Sequence, residues 1–191
     1  MQSMSTVTSL STPKEATTAL VAGSIIAYPT EAVYGLGCNP YDEVACQKLA
    51  QLKARQDGAG WICVIGALSH LDFLTDDLPP LIVDQLKCTW PGPTTWVLPA
   101  SPELPQWLLG PGKTIAVRYS AHPTVQALCE AFEKPIISTS ANLKGEPPAL
   151  NLYDLRRYFD THEVPVIVEG SLGGAMRPSK ILTSCGQTLR D

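Results

Sequence analysis

The apolar positions of this chain fall into two kinds of segment that take turns: stretches with the helical period, and shorter unbroken runs of strand length. Thr12-Pro13-Lys14-Glu15 has the form of a capping box with proline at the first helical position, and Gly23 supplies a stop, so a helix is expected over 13–22. Asp42 is placed to cap a second helix, with Val44, Ala45, Leu49 and Leu52 on its apolar side and its end near Lys53. Further helices are expected from Pro80 to Cys88, from Pro123 to Phe132, and from an Asn151 cap to near Phe159. The strand-like runs are Ser24 to Tyr28, Trp61 to Ile65, Thr94 to Leu98, Ile115 to Tyr119, Pro135 to Thr139, Val164 to Val168 and Lys180 to Thr183.

These runs lack the clean alternation of a sheet with one wet face, so the sheet should be covered on both sides. Close spacing and prolines between residues 94 and 119 imply that some pairing is antiparallel. The fold class is therefore α/β, a mixed parallel and antiparallel sheet with flanking helices.

Length and composition narrow the picture further. At 191 residues, 45% apolar and 17% charged, the chain is expected to form a single globular domain over 1–191. Apolar runs such as "ALVAGSIIAY" are too short and too interrupted to span a membrane, and "MQSMSTVTSLSTPK" lacks the basic and apolar regions of a secretory signal. The six cysteines show no CxxC pair or regular spacing, which points to buried free thiols and a cytoplasmic location. A net charge of −4 argues against a surface that is basic all over, but leaves room for a local basic cleft.

In open α/β sheets ligands gather beyond the carboxyl ends of strands, so the loops leaving strands are inspected first. Three are polar and small: the stretch after Tyr28 in "AYPTEAVYGLGCNP", "ISTSANLKGEPP" and "RPSKI". Small hydroxyl and amide groups at such exits leave backbone N–H groups open to an anion, although each loop alone is equally a turn or cap. Lys53 and Arg55 by themselves would complement a helix dipole, whereas Arg118 ends an apolar strand and offers a planar fork to a carboxylate or phosphate. His70, His122 and His162 are scattered with no metal-ligand spacing, and Cys38 reads as a structural thiol. P-loop, dinucleotide-binding and nucleophile-elbow signatures do not occur.

Taken together, "YPTEAVYGLGCNP", "LKAR", "WPGPTTWVLPA", "IAVRYSAHP", "STSANLKGEPP" and "RPSKI…LR" resemble, in order and spacing, the YrdC-like threonylcarbamoyl-AMP synthases, over residues from about 12 to 190. The resemblance implies a twisted mixed sheet with a large concave site. It also implies the condensation of L-threonine, bicarbonate and ATP to L-threonylcarbamoyladenylate and pyrophosphate, with Mg²⁺ accompanying ATP. Downstream proteins would then transfer the threonylcarbamoyl group to adenosine 37 of tRNA, and tRNA itself is a candidate contact. It assigns Lys53, Arg55, Ser140, Asn142 and Ser179 to ATP, and Thr30, Tyr34 and Arg118 to threonine. Neither a catalytic nucleophile nor a protein metal ligand is assigned. Glu31 has two readings, as a base toward the threonine amine or as a structural partner for a cation.

Two positions depart from the family pattern. Ala59 stands where a second lysine is usual, and Lys180 follows Ser179 where threonine is usual. One expectation is that Lys180 restores positive potential over the phosphates. The competing functional reading is a non-catalytic module that holds RNA or a nucleotide on the same fold; a deacylase or small-molecule sensor is a third, against which the missing hydrolytic constellation weighs.

Overall fold

Successive residues of the inner strands enter two different cores, which is why their sequences show no simple alternation. Ile26, Tyr28, Val64, Ile136 and Val168 pack in one cluster with Ala16 and Leu20, while Ala27, Cys63, Ile65, Ile137 and Ile167 pack in another. The structure is a computed structural model that describes residues 10–55 and 58–190; the N-terminal residues read above for a signal lie outside it up to position 9.

Among the described residues ten strands form the sheet: β1 (Leu10–Ser11), β2 (Ile26–Pro29), β3 (Tyr34–Gly37), β4 (Ile62–Ile65), β5 (Thr94–Pro99), β6 (Thr114–Tyr119), β7 (Ile136–Ser140), β8 (Val166–Val168), β9 (Lys180–Thr183) and β10 (Thr188–Arg190). Their spatial order is β1-β8-β2-β3-β7-β4-β6-β5-β9-β10. Pairing is mixed as expected: β4 runs parallel to β6 and β5 to β9, while β5 and β6, between residues 94 and 119, are antiparallel.

The helices are α1 (Pro13–Val21), α2 (Glu43–Leu52), α3 (Pro80–Thr89), α4 (Pro123–Phe132) and α5 (Leu152–Tyr158). Local chemistry sets their starts. Thr12 Oγ1 accepts from Glu15 N at 3.2 Å and Glu15 Oε2 accepts from Thr12 N at 2.8 Å, which completes the capping box. Asp42 and Asn151 cap α2 and α5 in the same way, accepting from Ala45 N and Asp154 N. Packed together, α1 and α4 cover one face of the sheet through Leu20, Val125, Leu128 and Phe132. On the other face lie Ala45, Cys46 and Leu49 of α2, Leu86 of α3 and Leu155 of α5.

Most expected elements appear within a residue or two of their limits, and three corrections matter. Val44 is 58% exposed, so it leaves the inner side of α2, where Ala45, Leu49 and Leu52 pack as expected together with Cys46. Cys88 and Cys185 are exposed, whereas the other four cysteines are buried, and all six are free. The third correction is that "YGLG" is a strand: β3 returns antiparallel to β2 and pairs on its far side with β7. Its glycines serve close approach. A Cβ on Gly37 would stand 2.4 Å from the Ile137 carbonyl oxygen and 2.9 Å from the Tyr28 ring, so at this position the tyrosine leaves room for bare backbone alone. Among the described residues no helix is long and apolar enough to cross a membrane.

Candidate active site

The helices leave part of one sheet face bare. Ser138, Ile62, Ala116, Val97 and Thr183 stand opposite one another across β7, β4, β6, β5 and β9, and all five floor a hollow of about 810 Å³. The residues between them, Cys63, Ile115, Val117 and Ile137, point the other way into the core. Val64 and Val125 line one side of the hollow, where it meets the apolar cluster beneath α1 and α4. The site therefore lies on the face of the sheet, and not in a crevice past the strand ends.

Five of the eight expected site residues line this hollow: Thr30, Arg55, Arg118, Ser140 and Ser179. They come from segments spread along most of the chain. Thr30 closes the β2–β3 turn, its hydroxyl and its N–H both donating to the Val33 carbonyl at 2.7 and 3.1 Å. Arg55 lies over the Trp61 ring, 4.6 Å from its centroid, and donates to the carbonyls of Ala59 (3.2 Å) and Gly60. Burial lowers its guanidinium below the ordinary value. Ser179 shares a 2.9 Å hydrogen bond with Thr95 at the buried edge of the hollow.

The remaining three sit elsewhere. Lys53 and Asn142 stand behind Ser140: Lys53 Nζ donates to the carbonyls of Ser140 (2.8 Å) and Asn142 (2.5 Å) and to Asn142 Oδ1 (2.6 Å), and Ser140 Oγ donates to Asn142 Oδ1 (2.7 Å). Burial, with Arg55 nearby, lowers the Lys53 ammonium to about 8. Tyr34 is only 7% exposed and packs in the core on the opposite side of β3 from Gly35, which does line the hollow. The structure does not bring its ring to the site.

Arg118 is held on two sides. Its Nη2 is 2.8 Å from Glu31 Oε2, and its Nε donates to the Gly92 carbonyl at 3.3 Å. Glu31 Oε1 accepts from Ser120 Oγ (2.8 Å) and Ala121 N (3.2 Å). Of its two readings, partner of a cation is the one the geometry favours. Above it, Gly173 N donates to the Thr30 carbonyl and Ala175 N to the Glu31 carbonyl, so residues 173–175 strap the β2–β3 turn and deliver Arg177, Pro178 and Ser179 to the rim.

Two arginines of the hollow escaped the sequence reading, Arg177 and Arg190. Arg190 donates through Nε and Nη2 to the Ser179 carbonyl at 3.0 and 2.8 Å and through Nη2 to Ser179 Oγ at 3.1 Å; burial and the charge of Arg118 lower it. The only hint in sequence was the terminal "LR". Lys180 disappoints the compensation idea: Ile181 and Thr183 line the hollow, so the strand's alternation aims Lys180 at the other face. Among the described residues, four arginines against one carboxylate give the cavity a positive balance within an acidic chain.

Fold and site together define an α/β protein whose bare sheet face is a basic, hydroxyl-rimmed hollow. A profile of the Sua5/YciO/YrdC family, described as telomere recombination, matches residues 18–190, and the chain belongs to this family. It is 48% identical over 172 residues to a threonylcarbamoyl-AMP synthase of Xylella fastidiosa, covering 89% of this chain and 91% of that one. It is 44% identical over 170 residues to the Pseudomonas savastanoi threonylcarbamoyl-AMP synthase, covering 88% and 91%. Among solved structures it is similar to P. abyssi Sua5 complexed with L-threonine, with a TM-score of 0.82 and 32% identity over 90% of this chain; it spans about half of that protein, 50%. E. coli YciO superimposes with a TM-score of 0.79 and 25% identity, over 94% of this chain and 90% of that one.

Proposed function

We propose that this chain, acting as one domain over 1–191, is an ATP-dependent synthase of L-threonylcarbamoyladenylate that supplies the threonylcarbamoyl group for adenosine 37 of tRNA. The observation that carries the reading is the convergence of Thr30, Arg55, Arg118, Ser140 and Ser179 on one hollow, whose volume of about 810 Å³ suits a nucleotide beside an amino acid. The similarity to relatives named for this synthesis, and to a protein crystallised with L-threonine, supports the choice of substrates.

In this reading Arg55, Ser140 and Ser179 take the phosphates of ATP, assisted by Arg177 and Arg190. Lys53 and Asn142 act from behind, fixing the segment that carries Ser140. Arg118 meets the threonine carboxylate and Thr30 lies alongside. The threonine amine adds to the carbon of CO₂ with loss of a proton, or of bicarbonate with loss of water; an oxygen of the resulting carbamate attacks the α-phosphorus, and the bond to the bridging oxygen breaks as pyrophosphate leaves. Neutralising charge and holding the short-lived carbamate away from water account for such a step, and no covalent nucleophile is needed.

Magnesium is expected to arrive with ATP. Among the described residues no three His, Cys, Asp or Glu side chains gather to hold a metal, and Glu31 is taken by Arg118 and Ser120, so these residues do not fit a dedicated protein cage. The product would pass to proteins that transfer the threonylcarbamoyl group, with tRNA as a further partner, in the cytoplasm.

The test is pyrophosphate release by the purified chain with ATP, Mg²⁺, bicarbonate and threonine, each omitted in turn. Release that requires threonine and bicarbonate supports the synthase. Nucleotide binding without turnover would overturn it in favour of a binding module.

A further inference from the structure

Among the described residues, Glu31 is the single carboxylate lining a hollow that holds Arg55, Arg118, Arg177 and Arg190. Its side chain is 17% exposed and that of Arg118 is 14% exposed, so water screens their 2.8 Å contact poorly. Three donors converge on its two oxygens, all from β6 and the loop after it: Arg118 Nη2, Ser120 Oγ and Ala121 N. The Glu31 backbone is fixed as well, since its carbonyl accepts from Ala175 N at 2.7 Å. A carboxylate bound in this way is a fixed post. What it fixes is the guanidinium that would otherwise be drawn to whichever anion in the hollow carries more charge.

We propose that Glu31 is a positioning residue that reserves Arg118 for the amino-acid carboxylate by holding its guanidinium away from the nucleotide phosphates. The inference rests on the reading above, in which both anions share the hollow. A triphosphate carries several negative charges and a carboxylate one, so an untethered Arg118 would be drawn preferentially to the triphosphate. The tether at Nη2, with the Gly92 carbonyl at Nε, restricts the guanidinium to one edge of the site. Selectivity between two anions in one basic cavity then comes from geometry.

The decisive measurements are steady-state KM values for threonine and for ATP in Glu31→Ala, Arg118→Ala and the double variant. Glu31→Ala is expected to raise the KM for threonine by about tenfold or more, the scale of a lost charge-assisted hydrogen bond, while the KM for ATP stays level or falls. In the Arg118→Ala background the same substitution should have little further effect on threonine. Calorimetry with threoninol, which lacks the carboxylate, should show binding to Glu31→Ala within about twofold of wild type, because a merely structural lesion would harm both ligands. Glu31→Gln keeps an oxygen for Ser120 Oγ and Ala121 N and replaces the alanine variant if that one does not fold. Equal losses for threonine and ATP, or full additivity with Arg118→Ala, would overturn the inference. A normal threonine KM in Arg118→Ala overturns the placement of Arg118 and the inference with it; a defective Arg118→Ala beside a normal Glu31→Ala overturns the inference alone.

Discussion

Lys53, just past the end of α2, clamps Asn142, 89 positions later, through both its backbone carbonyl at 2.5 Å and its Oδ1 at 2.6 Å. The contact ties the helix on one face of the sheet to the end of β7, where Ser140 sits, and to the loop that follows it. Lys53→Ala should weaken ATP binding by about 1 kcal/mol or more and also lower stability, since it removes the donor to the Asn142 carbonyl and one of two donors each to the Ser140 carbonyl and Asn142 Oδ1. Arg55→Ala should weaken ATP by a similar amount with a smaller effect on folding, because Arg55 lines the hollow directly. Calorimetric titration with ATP, paired with urea unfolding, reads both; equal ATP affinity in the Arg55 variant would place the phosphates elsewhere.

The same lysine carries a pH signature. Its folded value of about 8 lies below the ordinary lysine value of 10.5, so between those limits the unfolded chain holds a proton that the folded chain has released. Its contribution to stability therefore becomes more favourable as pH rises through that window. The stability difference between wild type and Lys53→Met should grow in favour of wild type from pH 7 to pH 10, as followed by urea midpoints; a flat difference would show an unshifted ammonium.

Lys180→Thr is expected to leave ATP affinity and turnover unchanged. Ser179, Ile181 and Thr183 line the hollow, so the alternation along this segment turns the Lys180 side chain to the other face. A loss of ATP affinity larger than about twofold would show that the lysine does reach the site. Among the described residues, the cations that line the hollow together with Ala59 are Arg55, Arg118, Arg177 and Arg190.

Gly37→Ala should destabilise the fold by about 2 kcal/mol or more, because its methyl would meet the Ile137 carbonyl oxygen at 2.4 Å and the fully buried Tyr28 ring at 2.9 Å. Thermal denaturation reads the loss. Gly58→Ala is an imperfect control, for its φ of +74° is strained for alanine although a Cβ there would meet nothing within 4 Å.

The legible part of the molecule was what local chemistry determines. Thr12, Asp42 and Asn151 announce their helices because a cap is a contact between near neighbours in sequence. The β3 strand was hidden because "YGLG" has two glycines and takes its strand character from its neighbours, β2 across the hairpin and the distant β7 on the other side. The site was legible through its motif segments, yet the direction of each side chain was not. Tyr34 and Gly35 are adjacent in sequence and point to opposite faces, so a motif that names both cannot tell which one meets a ligand. Arg190 was missed for the converse reason: it lies on a short exposed strand whose pairing with β9 folds its side chain back onto Ser179.

Because the floor of the hollow is made from every second residue of strands whose other residues build the core, recognition and cohesion are written on alternate letters of the same words. Changing Ala116 or Ser138 edits what is bound, whereas changing Val117 or Ile137 edits whether anything folds. A lineage can thus retune its ligand one position at a time without reopening the interior.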